Sequence, residues 1–426
     1  LIRSALYRAV SDAGIDGISH DELTQKVFAA LDLPKDFYAI DPDVRFLAEE
    51  ETKKALRHVL GYRLYHDLRR GWRVMSPNLE QCGLLEIRYA SLKELSKAEE
   101  EWENCHPALV GATQETRYTV AKVLLDFMRR SLAIKVDYLD INFQERIQQQ
   151  SNQRLKSPWA IDDKETMVSA SIVYPRGKIT GDFRGNIYLS PRSGYGQYLR
   201  RRETFPEFMQ RLSTEDTAVI IRQLFQILRV AGLVEEVAPP ERDDDAPGYQ
   251  LPGAALLWVA GDGAKPFHDL IRMPTLSEAG GRTNRFFVEF YKDIAQEGKG
   301  LEAHEHTAQV DNEMRQQRED AFKEGKLPIL YCSPTMELGV DISTLNAVNM
   351  RNVPPTPANY AQRSGRAGRS GQPALVFTYC TTGSPHDQYF FKRPELMVAG
   401  SVTPPRLELA NEDLIKAHIQ AVWLAE

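Results

Sequence analysis

The five residues Pro328-Ile329-Leu330-Tyr331-Cys332 form a continuous apolar run. A strand with one wet face alternates apolar and polar side chains, so an unbroken run reads as a strand buried on both faces of a helix-covered parallel sheet. The flanking sequence supplies the helices. Asn284 caps a helical segment over 285–295, residues 301–304 read as a short strand, and 314–323 is a helix ended by Gly325. Val348-Asn349-Met350 and the run 374–379 add further strands. Helices alternating with strands predict an α/β lobe over 284–426.

Within that lobe the stretch Tyr360-Ala361-Gln362-Arg363-Ser364-Gly365-Arg366-Ala367-Gly368-Arg369 sets three arginines at intervals of three, after a loop rich in proline (Pro354, Pro355, Pro357). Arginine keeps its charge at physiological pH and presents a planar fork of donors, which suits a phosphate whose charge is spread over several oxygens. Gly365, Ala367 and Gly368 leave the backbone uncrowded, so two guanidinium groups can reach one triphosphate from a single turn. An isolated R-x-x-R is more simply a solvated basic helix start. Here a second segment, Cys332-Ser333-Pro334-Thr335-Met336-Glu337-Leu338-Gly339-Val340-Asp341-Ile342, precedes it by about twenty residues.

Together the two segments resemble motifs V and VI of superfamily 2 helicases, and residues 284–382 resemble the second RecA-like lobe of that family. The proline-rich approach to Tyr360 and the run His386-Asp387-Gln388-Tyr389-Phe390-Phe391 resemble a narrower branch, that of bacterial helicases related to MrfA and of the large helicases of DISARM and Druantia phage-defence systems. The resemblance implies an ATP-dependent DNA helicase or translocase. Arg366 and Arg369 would be arginine fingers on the γ-phosphoryl group, at the carboxyl edge of the sheet, with Gln362 and Gly365 beside them. Gly339 and Asp341 would sit at the nucleotide sugar, while Ser333, Thr335, His306 and Thr307 would track the strand's phosphates. A structural role for His306 is an equal alternative.

Two departures limit the expectation. No G-x-x-x-x-G-K-[ST] occurs in the chain, and no D-E-x-H or D-E-x-D box, so the phosphate cradle and the Mg2+ carboxylates would belong to a first lobe outside this sequence. The chain opens in mid-helix at Leu1, which suggests a piece of a longer protein that hydrolyses no ATP by itself. The lobe's first strand would then precede residue 1, making the front of the chain an insertion; a free-standing domain joined through the glycine-rich stretch 261–281 is the alternative. A binding scaffold without turnover is the alternative, and defence-system proteins are the implied partners.

That front divides into a mostly helical region 1–205, a winged-helix segment 206–262 and a linker 263–283. Residues 1–33 read as two helices joined by a turn, with a capping box of Ser19 and Glu22; a helix-turn-helix and a plain hairpin of helices share this pattern. The stretch 188–202 interleaves arginines, ending in Arg200, Arg201 and Arg202, with three tyrosines, as a groove tracking a nucleic-acid strand would, or a basic surface loop. Ser213 and Thr214 open a helix closed by Gly232, followed by a strand at 233–237, an acidic loop and a returning strand over 249–259. Asp243, Asp244 and Asp245 in that loop would repel phosphate. A net charge of -6 restricts phosphate binding to such local clusters. Four cysteines without a C-x-x-C pair suggest neither a metal site nor a disulfide framework, and no apolar run is long enough to span a bilayer. A cytoplasmic protein is expected.

Overall fold

The computed structural model describes residues 1–69, 76–178, 185–240, 246–273, 283–294, 302–333, 345–368, 371–400 and 411–425. The chain divides into two compact units, Leu1–Gly300 and Leu301–Glu426.

The first unit opens with α1 (Ile2–Ala13) and α2 (His20–Leu31), which pack on each other through Leu6, Val10, Leu23 and Val27. Ser19 is the N-cap of α2 but makes no side-chain cap bond; Glu22 turns to Lys26 at 3.0 Å instead, so the expected capping box does not form. α3 (Leu47–Asp67) follows, then β1 (Leu85–Tyr89), α4 (Leu92–Lys97), α5 (Pro107–Val110) and α6 (Gln114–Arg130). Thr113 caps α6 by accepting from the Thr116 amide, and Leu132 at φ 58 turns the chain out of it. Next come β2 (Ile134–Lys135), α7 (Ile141–Arg154), β3 (Val173–Tyr174), β4 (Ile187–Tyr188) and α8 (Gly194–Leu199). α9 (Thr214–Val230) starts on a complete capping box, Ser213 with Asp216. It leads into β5 (Glu235–Ala238), β6 (Gly248–Pro252) and β7 (Leu256–Ala260).

The returning strand expected over 249–259 is two strands in two sheets. Pro252 lacks an amide donor, and Gly253 sits so close to Val136 that a Cβ would lie 2.4 Å from its methyl carbon. The chain therefore makes a short helical turn and changes sheet. β6 joins β5, β3 and β2, whereas β7 pairs antiparallel with β1, from Leu85 opposite Ala260 to Tyr89 opposite Leu256. Ile18 bridges Trp258 on the other edge of β7. Trp258 is fully buried and meets Tyr65 of α3 edge to face at 5.7 Å.

Arg129, near the end of α6, is fully buried. Its guanidinium donates to both carboxylate oxygens of Glu80 (2.7 and 2.8 Å), to Asp126 (3.1 Å) and to the Tyr89 hydroxyl (3.2 Å), while Lys122 holds the second Asp126 oxygen at 2.7 Å. A charge this deep persists only when paired and hydrogen-bonded on every side.

The expected linker is held down where the structure describes it. Arg130 stacks 4.3 Å from the centre of the Phe267 ring and pairs with Asp269 at 3.1 Å. Beyond it, α10 (Arg285–Glu289) continues as a wider π-type turn, Phe290–Ile294. Tyr291 is 5% exposed; its hydroxyl donates to the Pro77 carbonyl and accepts from Arg3, which forks onto Asp67. The helix expected to begin the α/β lobe is thus part of the first unit's core, packed on α1.

In the second unit β8 (Ala303–His306) and β9 (Ile329–Cys332) are parallel and joined by α11 (Asn312–Lys323). β10 (Ala347–Met350) and β11 (Leu375–Thr378) are likewise parallel, joined by α12 (Pro357–Ser364). α13 (Pro385–Lys392), α14 (Glu395–Val398) and α15 (Glu412–Ala425) follow. Parallel pairing agrees with the apolar run at 328–332, but burial on both faces does not: Ile329 and Tyr331 are 45% and 65% exposed, and Leu375 and Phe377 on β11 are open too. Among the described residues these strands are covered on one side.

Candidate functional site

Thr356 caps α12 by accepting from the Asn359 amide, and Pro357, with its fixed φ, occupies the first helical position. At the far end the Gly365 amide bonds to Ala361 (2.9 Å), Arg366 to Arg363 (3.3 Å) and Ala367 to Ser364 (3.1 Å), so the turn bearing Arg366 winds tightly off the helix. Gly368, at φ +72, then donates its amide to the Leu345 carbonyl at 3.1 Å, and Leu375 donates to Asn346 at 2.9 Å. Leu345 and Asn346 immediately precede β10.

The arginine turn therefore lies at the amino edge of the β10–β11 pair, and the carboxyl edge expected for it is corrected. The reason is topological. In a parallel strand–helix–strand unit the helix carries the chain back, so whatever follows it arrives at the starts of the strands. Gln362 and Gly365 are exposed there and Arg366 is half-buried. Arg369, Gly339, Asp341 and Thr335 lie outside the described residues.

A second group gathers at the carboxyl edge of the β8–β9 pair. The Ser333 amide donates to the His306 carbonyl at 3.3 Å, which brings Ser333, His306 and Thr307 to one place. His306 is 6% exposed, with Nε2 2.7 Å from a Glu319 carboxylate oxygen on α11 and Nδ1 buried without a hydrogen-bond partner. That geometry ties β8 to α11 and matches the structural alternative for this histidine. Thr307 and Ser333 are half-buried at the strand ends.

Arg200, Arg201 and Arg202 belong to the first unit. Arg201 sends both terminal nitrogens to backbone carbonyls, those of Leu270 and Ile271, and lies over the Tyr198 ring. Arg200 donates to the Pro191 carbonyl at 3.1 Å, and Arg202 is exposed. Two of the three cations thus hold backbone in place. Sequence reasoning missed the clasp because a carbonyl acceptor leaves no trace in residue type. Among the described residues no group of three His, Cys, Asp or Glu side chains can hold a metal ion, and no helix is long and apolar enough to cross a membrane.

Residues 268–371 match the family model of the helicase conserved C-terminal domain. Over 96 residues the chain is 40% identical to the Druantia protein DruE of Escherichia coli (strain UMEA 4076-1), an alignment that takes in 22% of this chain and 5% of that protein. Among solved structures, the DUF1998 helicase MrfA bound to DNA and AMPPNP aligns at 24% identity with a TM-score of 0.26, over 31% of this chain and 18% of that one. The Mycobacterium smegmatis helicase Lhr bound to single-stranded DNA and AMP-PNP aligns at 25% identity with a TM-score of 0.26, over 36% of this chain and 20% of that one.

Proposed function

We propose, for a chain that carries a superfamily 2 helicase C-terminal lobe of the MrfA and Druantia branch, that its second unit supplies one wall of an ATP-hydrolysing cleft in a DNA helicase or translocase. The observation that carries this reading is the bond from Gly368 to Leu345, which fixes the Arg366 turn beside the residues that follow Asp341 by four positions. Four positions of chain span at most ~14 Å, and that closeness in sequence supports pairing the two motifs in one site.

The donor set suits a triphosphate approached from one side. Arg366 and, beyond the described residues, Arg369 neutralise charge that builds on the transferring γ-phosphoryl group, and Gln362 orients it. Fingers of this kind are worth roughly 10³ to 10⁵ in turnover. Gly339 and Asp341 meet the nucleotide sugar. Bound ATP with Mg2+ supplies the phosphoryl group to be transferred, and the phosphate loop and metal carboxylates come from a partner lobe. Ser333 and Thr307 at the ends of β9 and β8, with Thr335 beyond the described residues, hydrogen-bond strand phosphates, contacts that ignore sequence and so suit movement along DNA. The likeness to the Druantia protein DruE supports a role in defence against phage.

The test is DNA-stimulated ATP hydrolysis by the full-length protein with and without Arg366→Ala. A loss of at least a hundredfold in turnover with DNA binding retained is the expected result; unchanged turnover sinks the reading.

A further inference from the structure

The first unit contains one strand-and-helix pattern twice, the second copy set inside the first. The outer copy runs α1, the bridge at Ile18, α2, α3, β1, β7, with spatial strand order Ile18, β7, β1. The inner copy runs α6, β3, α8, α9, β5, β6, with β2 and α7 interposed before β3 and β4 after it; β6 lies between β3 and β5 and also pairs with β2; the Tyr195 hydroxyl of α8 bonds the Val120 carbonyl of α6 at 3.0 Å, and α8 packs on α9. Helix, strand, helix, helix and a hairpin whose last strand sits between the other two is the wiring of a winged helix, in which the third helix is the element that enters a groove.

The two third helices differ in what they leave open. α3 is sealed: it packs against both α2 and α7, and Gly61 at its centre faces Tyr138 so closely that a Cβ would lie 2.4 Å from the ring. α9 buries one side only, through Ile220, Leu224 and Phe225 among others. Its other side shows Glu215, Val219, Arg222, Gln226 and Arg229 at steps of four, three, four and three, a single exposed stripe.

We propose that this stripe docks in the major groove of duplex DNA, independently of the nucleotide cleft. Arg222 and Arg229 bring the fork that reads guanine or grips phosphate, Gln226 the amide that pairs with adenine, and Val219, 43% exposed, an apolar contact for a thymine methyl. Exposed Arg211, just ahead of the helix, adds a third cation; of the two carboxylates in the first turn, Glu215 lies on the stripe and Asp216 is engaged by Ser213 and His106. Arg229 has a loose partner in Glu236, at 3.6 Å with both side chains about half exposed, which a phosphate can displace. At ~25 Å the helix is long enough to lie in a groove.

The test uses chain 1–426 and a fluorescein-labelled 20-base-pair duplex, with anisotropy measured across salt and without nucleotide. Arg222→Glu/Arg229→Glu should weaken binding at least tenfold and reduce the salt slope by about two, one for each lost phosphate contact. The control, Lys93→Glu/Lys97→Glu on exposed positions of α4, carries the same charge change and should have little effect; melting curves establish that both variants fold. No duplex binding by the parent chain, unchanged binding by the α9 variant, or equal losses in the two variants each overturn the proposal. In the full-length protein the α9 variant should keep its single-strand-stimulated hydrolysis, which separates this inference from the reading of Arg366.

Discussion

The amide of Gly368 and the carbonyl of Leu345 are 3.1 Å apart, and this one bond closes the loop that carries the arginine turn onto the start of the neighbouring strand. Gly368 is where the turn is most constrained. Its φ of +72 disfavours any side chain, and a Cβ would meet the Gln372 carbonyl oxygen at 3.0 Å.

Gly368→Val is therefore expected to strain the turn by about 1–2 kcal/mol. Because the relief is a displaced Arg366, DNA-stimulated hydrolysis by the full-length protein should fall about tenfold or more while DNA affinity holds. Steady-state turnover set beside equilibrium binding checks this, and Gly368→Asn, which tolerates the left-handed region better, should lose less.

Removing one partner from the buried cluster around α6 should cost far more than removing a surface charge. Arg129→Met leaves the buried Glu80 without its cation and Asp126 with Lys122 alone, a loss of about 3–5 kcal/mol. The urea midpoint of the first unit, followed by tryptophan fluorescence, reports it, and adding Glu80→Gln should restore part of the loss.

The same cluster fixes a pH dependence. Burial by itself would raise the Asp126 carboxyl, but the charges of Lys122 and Arg129, with bonds from Lys122 and Tyr89, outweigh it and hold the carboxyl below its ordinary value. A carboxylate depressed in the folded state stabilises fully above its unfolded pKa of about 3.9 and loses that stabilisation as pH falls through the folded value. Melting temperatures taken from pH 6 down to pH 2 should show an acid limb below about pH 4 that Asp126→Asn flattens while lowering the plateau.

Arg201 offers a direct choice between two roles. If it serves as the clasp seen here, Arg201→Ala should raise amide exchange in 267–273 about tenfold, in line with losing charge-assisted bonds to two carbonyls, and leave DNA affinity unchanged. Weakened DNA binding with unaltered exchange would return it to the phosphate track.

Local signals in this chain were legible wherever they depend on neighbouring residues. Ser213 opening α9, Asn284 capping α10, Gly325 at φ +74 after α11 and the parallel strand at 329–332 all follow from caps, breakers and periodicity. What stayed hidden depends on distant partners. Nothing near Glu80 announces Arg129, and nothing in the run 249–259 says that its halves belong to different sheets until Val136 is found packed against Gly253. The arginine motif was legible as chemistry, but which edge of the sheet it occupies follows from the handedness and return path of a crossover.

The nesting of one three-helix unit within another also orders events at the ribosome. Tyr89 must wait for Leu256 before its strand has a neighbour. At 5–20 residues per second, synthesis of the intervening chain takes roughly ten to thirty seconds. During that interval α1, α2 and α3 lack the strand that seals them, while the inner unit, complete once β6 emerges, can condense first. Birth order thus runs from the inside outward, and a nascent-chain protease assay should find residues 114–252 sheltered before residues 1–67 are.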